Sequence, residues 1–328
     1  MTWLNILYIV IGAALVIWGA DRLTEGASSL ARGMRVPEII IGLTIVAAGT
    51  SAPELFVSLV SALKGTADMS VGNVIGSNIF NTTLIVGCSA LVAPMVVSKS
   101  TVKKDIPWAA MAALLLALLC VDDMNSPHLW GNEISRSDGF ILLIVFIAFM
   151  VYTFNVAKKE GQMPSEEELE DLREMPKDYS KMGLNIFWIV LGLACLILGS
   201  DLFVNAASYV AHRYGVRQSV VGLTIVAGGT SLPELATSVV AAYKGRSAIA
   251  IGNVLGSNVF NILLILGLTA VVHPMRIMGI TIVDLTMMVV SMGLLWMFAF
   301  TKYYVSRKEG AVLIAGFAVY MCWLFYLL

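Results

Sequence analysis

Charge is what this 328-residue chain has least of: Asp, Glu, Lys and Arg make up 13% of it, against 58% hydrophobic residues. That balance is too apolar for a soluble domain. Cysteine is also sparse. Cys88, Cys120, Cys195 and Cys322 are scattered through apolar stretches, with no CxxC pair and no metal-ligand spacing, so they read as packing residues rather than a disulfide frame or a zinc centre. There is no excess of basic charge: the formal net charge is −1, and the Lys and Arg residues sit in short connectors rather than a patch. This argues against nucleic acid as a partner. Neither an H-E-x-x-H motif nor an Asp dyad within a span is present, and no nucleophile is paired with a base. Hydrolytic chemistry is therefore discounted, no catalytic residue is expected, and the chain is read as not an enzyme. Nothing calls for a resident cofactor or an obligate protein partner.

What the chain does have is long apolar runs, each of about the twenty residues one helix needs to cross a bilayer. They lie near 3–20, 37–63, 70–94, 106–121 and 139–157, then at 184–211, 218–243, 248–272, 282–301 and 311–328. The expectation is an all-α polytopic membrane protein of ten transmembrane helices. It divides into a five-helix repeat at 1–157, a cytoplasmic linker at 158–182 and a second five-helix repeat at 183–328. The opening run lacks a basic n-region and a convincing cleavage site, so it reads as a retained span. Lys and Arg accumulate on the cytoplasmic side of span ends. With the N-terminus outside, the inner connectors hold sixteen: Arg22, Arg32, Arg35, Lys99, Lys103, Lys104, Lys158, Lys159, Arg173, Lys177, Lys181, Lys244, Arg246, Lys302, Arg307 and Lys308. The outer ones hold five: Lys64, Arg136, Arg213, Arg217 and Arg276. Both termini are thus expected outside, in the plasma (cell inner) membrane. Trp3, Trp108, Trp188 and Trp323 lie near the expected span ends, where indole rings favour the headgroup region.

Two segments occur twice, each copy displaced by 180 positions. GLTIVAAGTSAPEL at 42–55 returns as GLTIVAGGTSLPEL at 222–235, and GNVIGSNIFN at 72–81 returns as GNVLGSNVFN at 252–261. Five spans per repeat is an odd number, so the two copies enter the membrane from opposite sides, the inverted architecture of many secondary transporters. In the first segment Gly49 and Pro53 are expected to break the helix, releasing carbonyls around 47–50 beside the positive end of a new half-helix. Ser51-x-x-Glu54 also reads as a capping box. A cap contributes about 1 kcal/mol, whereas a charge near mid-bilayer costs roughly 2.5–3.5 kcal/mol. Capping alone therefore does not account for Glu54, nor for Glu234, which repeats the arrangement after Ser231. In the second segment Asn73, Ser77 and Asn81 follow at i, i+4 and i+8 along one helix face, as do Asn253, Ser257 and Asn261. Asn73, Asn78, Asn253 and Asn258 are read equally well as interhelical glue. Gly72 with Gly76, and Gly252 with Gly256, form GxxxG pairs that admit a neighbouring backbone. Together the copies offer two carboxylates, amide oxygens and hydroxyls, with no His or Cys nearby. That donor set suits a hard cation such as Ca2+ or Na+.

The paired GTSxPEL and GNxxGSNxFN segments resemble the two α-repeats of the calcium/cation antiporter superfamily, and the chain is similar to its small prokaryotic sodium/calcium exchanger-like members over nearly its whole length. The resemblance implies that Glu54 and Glu234 are the central acidic ligands. It implies hydroxyl and backbone oxygens from Thr50, Ser51, Thr230 and Ser231, carbonyls from Ala47 and Ala227, and completion of the cation sites by Ser77, Asn81, Ser257 and Asn261. It further implies a first and a sixth span that slide against the other eight. Some relatives, potassium-dependent ones among them, carry Asp at the position matching Asn261. Here both copies carry Asn, which argues against potassium co-transport. The expected function is exchange of Na+ for Ca2+ across the membrane by alternating access. The alternatives are a Ca2+/H+ antiporter using the same glutamates and a cation channel. Asp21 and Asp201 also match at a distance of 180, near the end of the first span of each half, where they gate ions or cap a helix end, capping being the expected role. The acidic stretch at 164–176 is expected to be a short amphipathic helix in a solvated linker, since it lacks the residue order of an EF-hand. Asp122, Asp123 and Glu133 are expected in an outer loop.

Overall fold

The computed structural model describes residues 2–34, 36–63, 67–121, 133–160, 182–214, 227–277 and 280–327, with backbone alone at 2, 67–69, 157–160, 227 and 327. The 164–176 stretch and most of the linker lie outside the described residues, as do Arg35, Lys64, Asp122, Asp123, Arg217 and the opening of the second motif at 222–226. The described residues are mostly helical. In chain order the helices are α1 (Thr2–Met34), α2 (Glu38–Thr50), α3 (Ala52–Leu63), α4 (Ala67–Phe80, continuing as Val86–Val92), α5 (Ile106–Leu119) and α6 (Arg136–Glu160). After the linker come α7 (Met182–Arg213), α8 (Ala227–Thr230), α9 (Leu232–Tyr243), α10 (Ser247–Val259, continuing as Gly267–Val272), α11 (Ile282–Lys302) and α12 (Arg307–Leu327). Seven of these are long and apolar enough to cross a membrane, and the bent pair α2 and α3 makes an eighth. The protein is a multi-pass membrane protein. Of the remaining expected spans, 106–121 is the 14-residue α5, preceded by a π-helical turn at Thr101–Asp105, and 218–243 is described only from Ala227 onward.

One expected boundary is wrong. The first span does not stop at residue 20: α1 runs unbroken for 33 residues, roughly 50 Å at 1.5 Å per residue. The charges met at Asp21 do not interrupt it, because they are neutralised where they stand. Arg22 pairs with Asp21 at 2.7 Å and Glu25 at 3.1 Å, and Lys244 pairs with Asp21 and, at 2.9 Å, with Glu25. Asp21 is therefore an ion-pairing residue within a helix, not a cap. Asp201 likewise lies inside α7 and accepts a hydrogen bond from Asn205, one turn on, at 3.0 Å. Helix α1 ends where Pro37 disfavours helical geometry in the residue before it, and the Val36 N–H closes on the Ala31 carbonyl at 2.9 Å. At the other extreme α11 matches its expected span closely. It opens on a Thr281/Asp284 capping box and closes at Tyr303, whose φ of 56° ends the helix.

Burial sorts the helices. The hydrophobic window of α4 is 72% buried and that of α10 is 83% buried, against 22% for α1 and 28% for α7. The two helices that carry the GNxxGSNxFN segments form the centre, which follows from their polar faces: amides in a membrane must be covered by protein. Helices α1 and α7 pack mainly on each other through a glycine seam. A Cβ on Gly12 would fall 2.8 Å from the Gly199 carbonyl oxygen, one on Gly19 2.7 Å from that of Gly192, and one on Gly26 3.0 Å from that of Asn185. Partners on α7 descend in number as those on α1 ascend, so the two helices are antiparallel. Two short antiparallel strand pairs tie the connectors together. They join β1 (Met95–Val96) to β4 (Tyr304–Val305), with Met95 opposite Val305, and β2 (Glu133–Ile134) to β3 (Met275–Arg276), with Glu133 opposite Arg276.

Candidate cation site

The break foreseen at Gly49 to Pro53 falls at Ser51, where α2 meets α3 at a bend of 45°. It is a one-residue hinge rather than an open gap. Ser51 N–H still bonds to the Ala47 carbonyl at 2.9 Å, and Leu55 N–H to that of Ser51 at 3.1 Å. The Ala47 carbonyl is consequently not released as expected, and it also lies 3.3 Å from Thr50 Oγ1. Ser231 holds the matching position between α8 and α9, with φ −88° and ψ 9°. The side chain of Ser231 makes no cap bond to its own helix.

Both serines instead reach across to the other copy. Ser51 Oγ donates to Glu234 Oε1 at 3.1 Å, and Ser231 Oγ donates to Glu54 Oε1 at 3.1 Å. This reciprocal pair gives each hydroxyl a role that a capping box does not supply, since its proton goes to the carboxylate of the opposite copy. Glu54 and Glu234 are both fully buried, and they are close enough for their charges to interact. Thr230 lies beside Glu54, while Thr50 and Ser257 lie beside Glu234. Ser77 Oγ is 3.2 Å from Ser231 Oγ. In each copy the π-helical stretch, Asn81–Ile85 on α4 and Phe260–Leu266 on α10, falls at the motif's last Asn. Such insertions recur at functional sites because they re-aim one turn of side chains.

Several of these groups lack partners. Glu54 Oε2, Glu234 Oε2, Asn81 Oδ1, Ser257 Oγ and both amide atoms of Asn261 are buried with no hydrogen-bond partner among the described residues. An unsatisfied buried polar atom costs about 1–3 kcal/mol, so a cluster of them is explained when a ligand completes their bonding. The oxygens left open are of the kind a hard cation takes up. Among the described residues no group of three or more His, Cys, Asp or Glu side chains gathers elsewhere as a metal site.

The remaining motif asparagines are held by protein. Asn253 accepts from Thr50 Oγ1 at 3.1 Å and donates to Ser238 Oγ at 3.0 Å, and Asn78 donates to the Val74 carbonyl at 2.7 Å. Asn73 reaches Ser58 Oγ at 3.5 Å. The glycine pairs divide: Gly252 and Gly256 receive α2, with Gly42 Cα 3.0 Å from a Cβ on Gly252, whereas a Cβ on Gly72 meets only Ile280 Cδ1 at 3.5 Å. Of Ala227 the backbone alone is described, as the first residue of α8. Sequence reasoning overlooked Thr82 and Thr237. Thr237 Oγ1, one turn beyond Glu234, is buried without a partner among the described residues, and Thr82 receives a hydrogen bond from Asn258 at 2.8 Å. Both break the symmetry of the repeats, standing opposite Val57 and Ile262, so comparing the two copies position by position would have drawn attention to them.

Fold and polar centre together define a helical, membrane-embedded protein whose polar chemistry is gathered around two buried acids. The sodium/calcium exchanger protein family matches the chain at residues 4–155 and 184–326. The sodium/calcium exchanger MaX1 of Methanosarcina acetivorans is 31% identical to it, across 100% of both chains. The inner membrane protein YrbG of Escherichia coli is 34% identical, across 97% of this chain and 96% of that one. The solved structure of the sodium-calcium exchanger NCX_Mj, soaked with 10 mM Na+ and zero Ca2+, superimposes with a TM-score of 0.83 at 29% identity, covering 98% of this chain and 99% of the other. The chain belongs to the sodium/calcium exchanger protein family. That family is one of membrane cation antiporters, not an enzyme class.

Proposed function

We propose that the protein exchanges Na+ for Ca2+ across the cell inner membrane by alternating access, as two inverted five-helix repeats (1–157 and 183–328) joined by a cytoplasmic linker at 158–182, with both termini outside. The observation that carries this reading is the reciprocal bonding of Ser51 to Glu234 and Ser231 to Glu54, which joins the two copies of the motif around carboxylates whose second oxygens are open. Glu54 and Glu234 supply the two negative charges that one Ca2+ requires. Asn81, Asn261, Ser77, Ser257, Thr50, Thr230, Ser51 and Ser231 supply neutral oxygens towards the six to eight that Ca2+ accepts. Ala227 contributes through its carbonyl, and Ala47 through the second lone pair of a carbonyl that keeps its bond from the Ser51 N–H. The antiparallel seam of α1 with α7 supports inversion, because these helices occupy matching places in the two repeats. Sodium uses the same oxygens at lower charge, so the two ions compete for one site. An emptied site leaves two carboxylates facing each other in a medium of low dielectric, which makes return without a cation costly and couples the fluxes.

The test is uptake of ⁴⁵Ca2+ into proteoliposomes loaded with Na+. Uptake is expected to need the outward Na+ gradient and to fall to background in Glu54→Gln and in Glu234→Gln. Wild-type uptake driven by a pH gradient alone, with Na+ absent, assigns the protein to Ca2+/H+ exchange instead, and currents far above carrier turnover assign it to a channel. Full uptake in both variants would falsify the site.

A further inference from the structure

We propose that Asn258 and Thr82 are positioning residues that hold the Asn81 side chain with its oxygen toward the cation. This inference rests on the reading of the centre as a cation site. It begins from a difference between the two copies. Asn81 Nδ2 donates to Asn258 Oδ1 at 3.1 Å, and Asn258 Nδ2 donates in turn to Thr82 Oγ1 at 2.8 Å. All three side chains are buried, at 0%, 1% and 1% exposure. The end of this chain is Asn81 Oδ1, which is buried and has no partner among the described residues.

A primary amide is almost symmetric in shape, and rotation by half a turn replaces an acceptor with two donors. For a cation the two faces are opposites: the oxygen ligates and the NH2 group repels. Here one of the two orientations is completed by an acceptor two residues away. With its oxygen toward the cation, Asn81 offers its NH2 end to Asn258 Oδ1, and the Asn258 NH2 end then needs an acceptor, which Thr82 Oγ1 supplies. The Asn81 oxygen has only the open side left. Thr82 and Asn81 are adjacent in sequence, and the π-helical stretch that begins at Asn81 places both in the buried interior.

The second copy lacks the device. The position matching Thr82 is Ile262, which offers no acceptor, and Asn78, which matches Asn258, turns back to its own helix at the Val74 carbonyl. Both Oδ1 and Nδ2 of Asn261 are left without a partner among the described residues. The site therefore has one fixed amide oxygen, at Asn81, and one amide free to turn, at Asn261. A fixed oxygen favours an ion that demands a full shell of ligands, while a turning one lets the same cavity empty and refill with a less demanding ion.

The experiment measures Ca2+ binding to the purified protein by titration calorimetry in Na+-free detergent solution, alongside ⁴⁵Ca2+ uptake. Thr82→Val keeps the shape and removes the acceptor. It is expected to raise the Ca2+ dissociation constant about fivefold, the factor one net buried hydrogen bond supplies, with maximal uptake little changed. Asn258→Ala should act in the same direction. Thr82→Ser, which keeps the hydroxyl, should restore wild-type affinity, and the mirror variant Asn78→Ala should leave affinity unchanged. Wild-type affinity in Thr82→Val, or equal losses in Thr82→Val and Asn78→Ala, overturns the proposal. Should Asn258→Ala fail to fold, the Thr82 pair decides. Failure of the underlying reading looks different: Glu54→Gln would then bind Ca2+ as the wild type does, whereas loss of binding in Glu54→Gln with no effect of Thr82→Val removes only the positioning role.

Discussion

At the scale of single residues, the two serines that end the GTS triplets matter because each serves the other copy's acid. A hydrogen bond to a charged group contributes roughly 1.5–3 kcal/mol, so Ser51→Ala and Ser231→Ala should each weaken Ca2+ binding by about tenfold or more. Ser231→Ala should be the more damaging, since Ser231 also lies 3.2 Å from Ser77. Calorimetric titration of the two variants checks both the size and the order, and unchanged affinities would remove the serines from the site. The acids themselves were legible in the sequence, because a carboxylate repeated within an apolar run has few structural explanations. Their partners were not. Ser51-x-x-Glu54 has the spacing of a capping box, and only coordinates show that the Ser51 hydroxyl leaves its own chain segment for a residue 183 positions away.

Among the elements, what sequence periodicity conveyed best was the existence of the apolar runs, and what it conveyed worst was their ends. Asp21 and Arg22 look like the polar margin of a span, yet α1 continues to Met34 because Lys244 and Arg22 neutralise the acids from outside and inside the helix. Ion pairing across 200 residues has no local signature. The glycine seam, by contrast, is written in the chain as repeats of seven at Gly12, Gly19 and Gly26 and at Gly192 and Gly199, and its meaning emerges once α1 and α7 are seen in contact. Gly192→Val would press a branched side chain against Gly19 O and Leu23 N, both 2.8 Å from the first added carbon. Backbone cannot yield as a flexible side chain does, so the cost should be about 1–3 kcal/mol. Thermal unfolding in detergent should show a clear drop for Gly192→Val and none for Gly293→Ala on α11, where no described atom lies within 4 Å of an added carbon. Equal behaviour of the two variants would mean that the seam does not hold the pair together.

For the molecule as a whole, the distribution of basic residues and the strand pairings bear on each other. The connectors around Lys99 to Lys104 and Lys302 to Lys308, both assigned inside by charge, are joined by β1 and β4. Those around Glu133 to Arg136 and Arg276, both assigned outside, are joined by β2 and β3, with Arg276 Nε 3.9 Å from Glu133 Oε2. Arg22 and Lys244, again both on the inner tally, converge on the same two acids, Asp21 and Glu25. Each of these contacts joins connectors that the charge tally puts on the same face. The physical reason for the bias is the cost of moving a cation across the bilayer against the membrane potential during insertion, which acts on Lys and Arg near span ends and hardly at all on acids. On the proposed ten-span arrangement, this bias predicts the orientation. Alkaline phosphatase fused after Leu328 should therefore be active and green fluorescent protein at the same point dark. Fusions within the 161–181 linker should show the reverse. A fluorescent C-terminal fusion would require either the opposite orientation, if the linker fusion then reports outside, or an odd number of spans, and only the second would leave the inverted relation between the two copies of the motif without its basis.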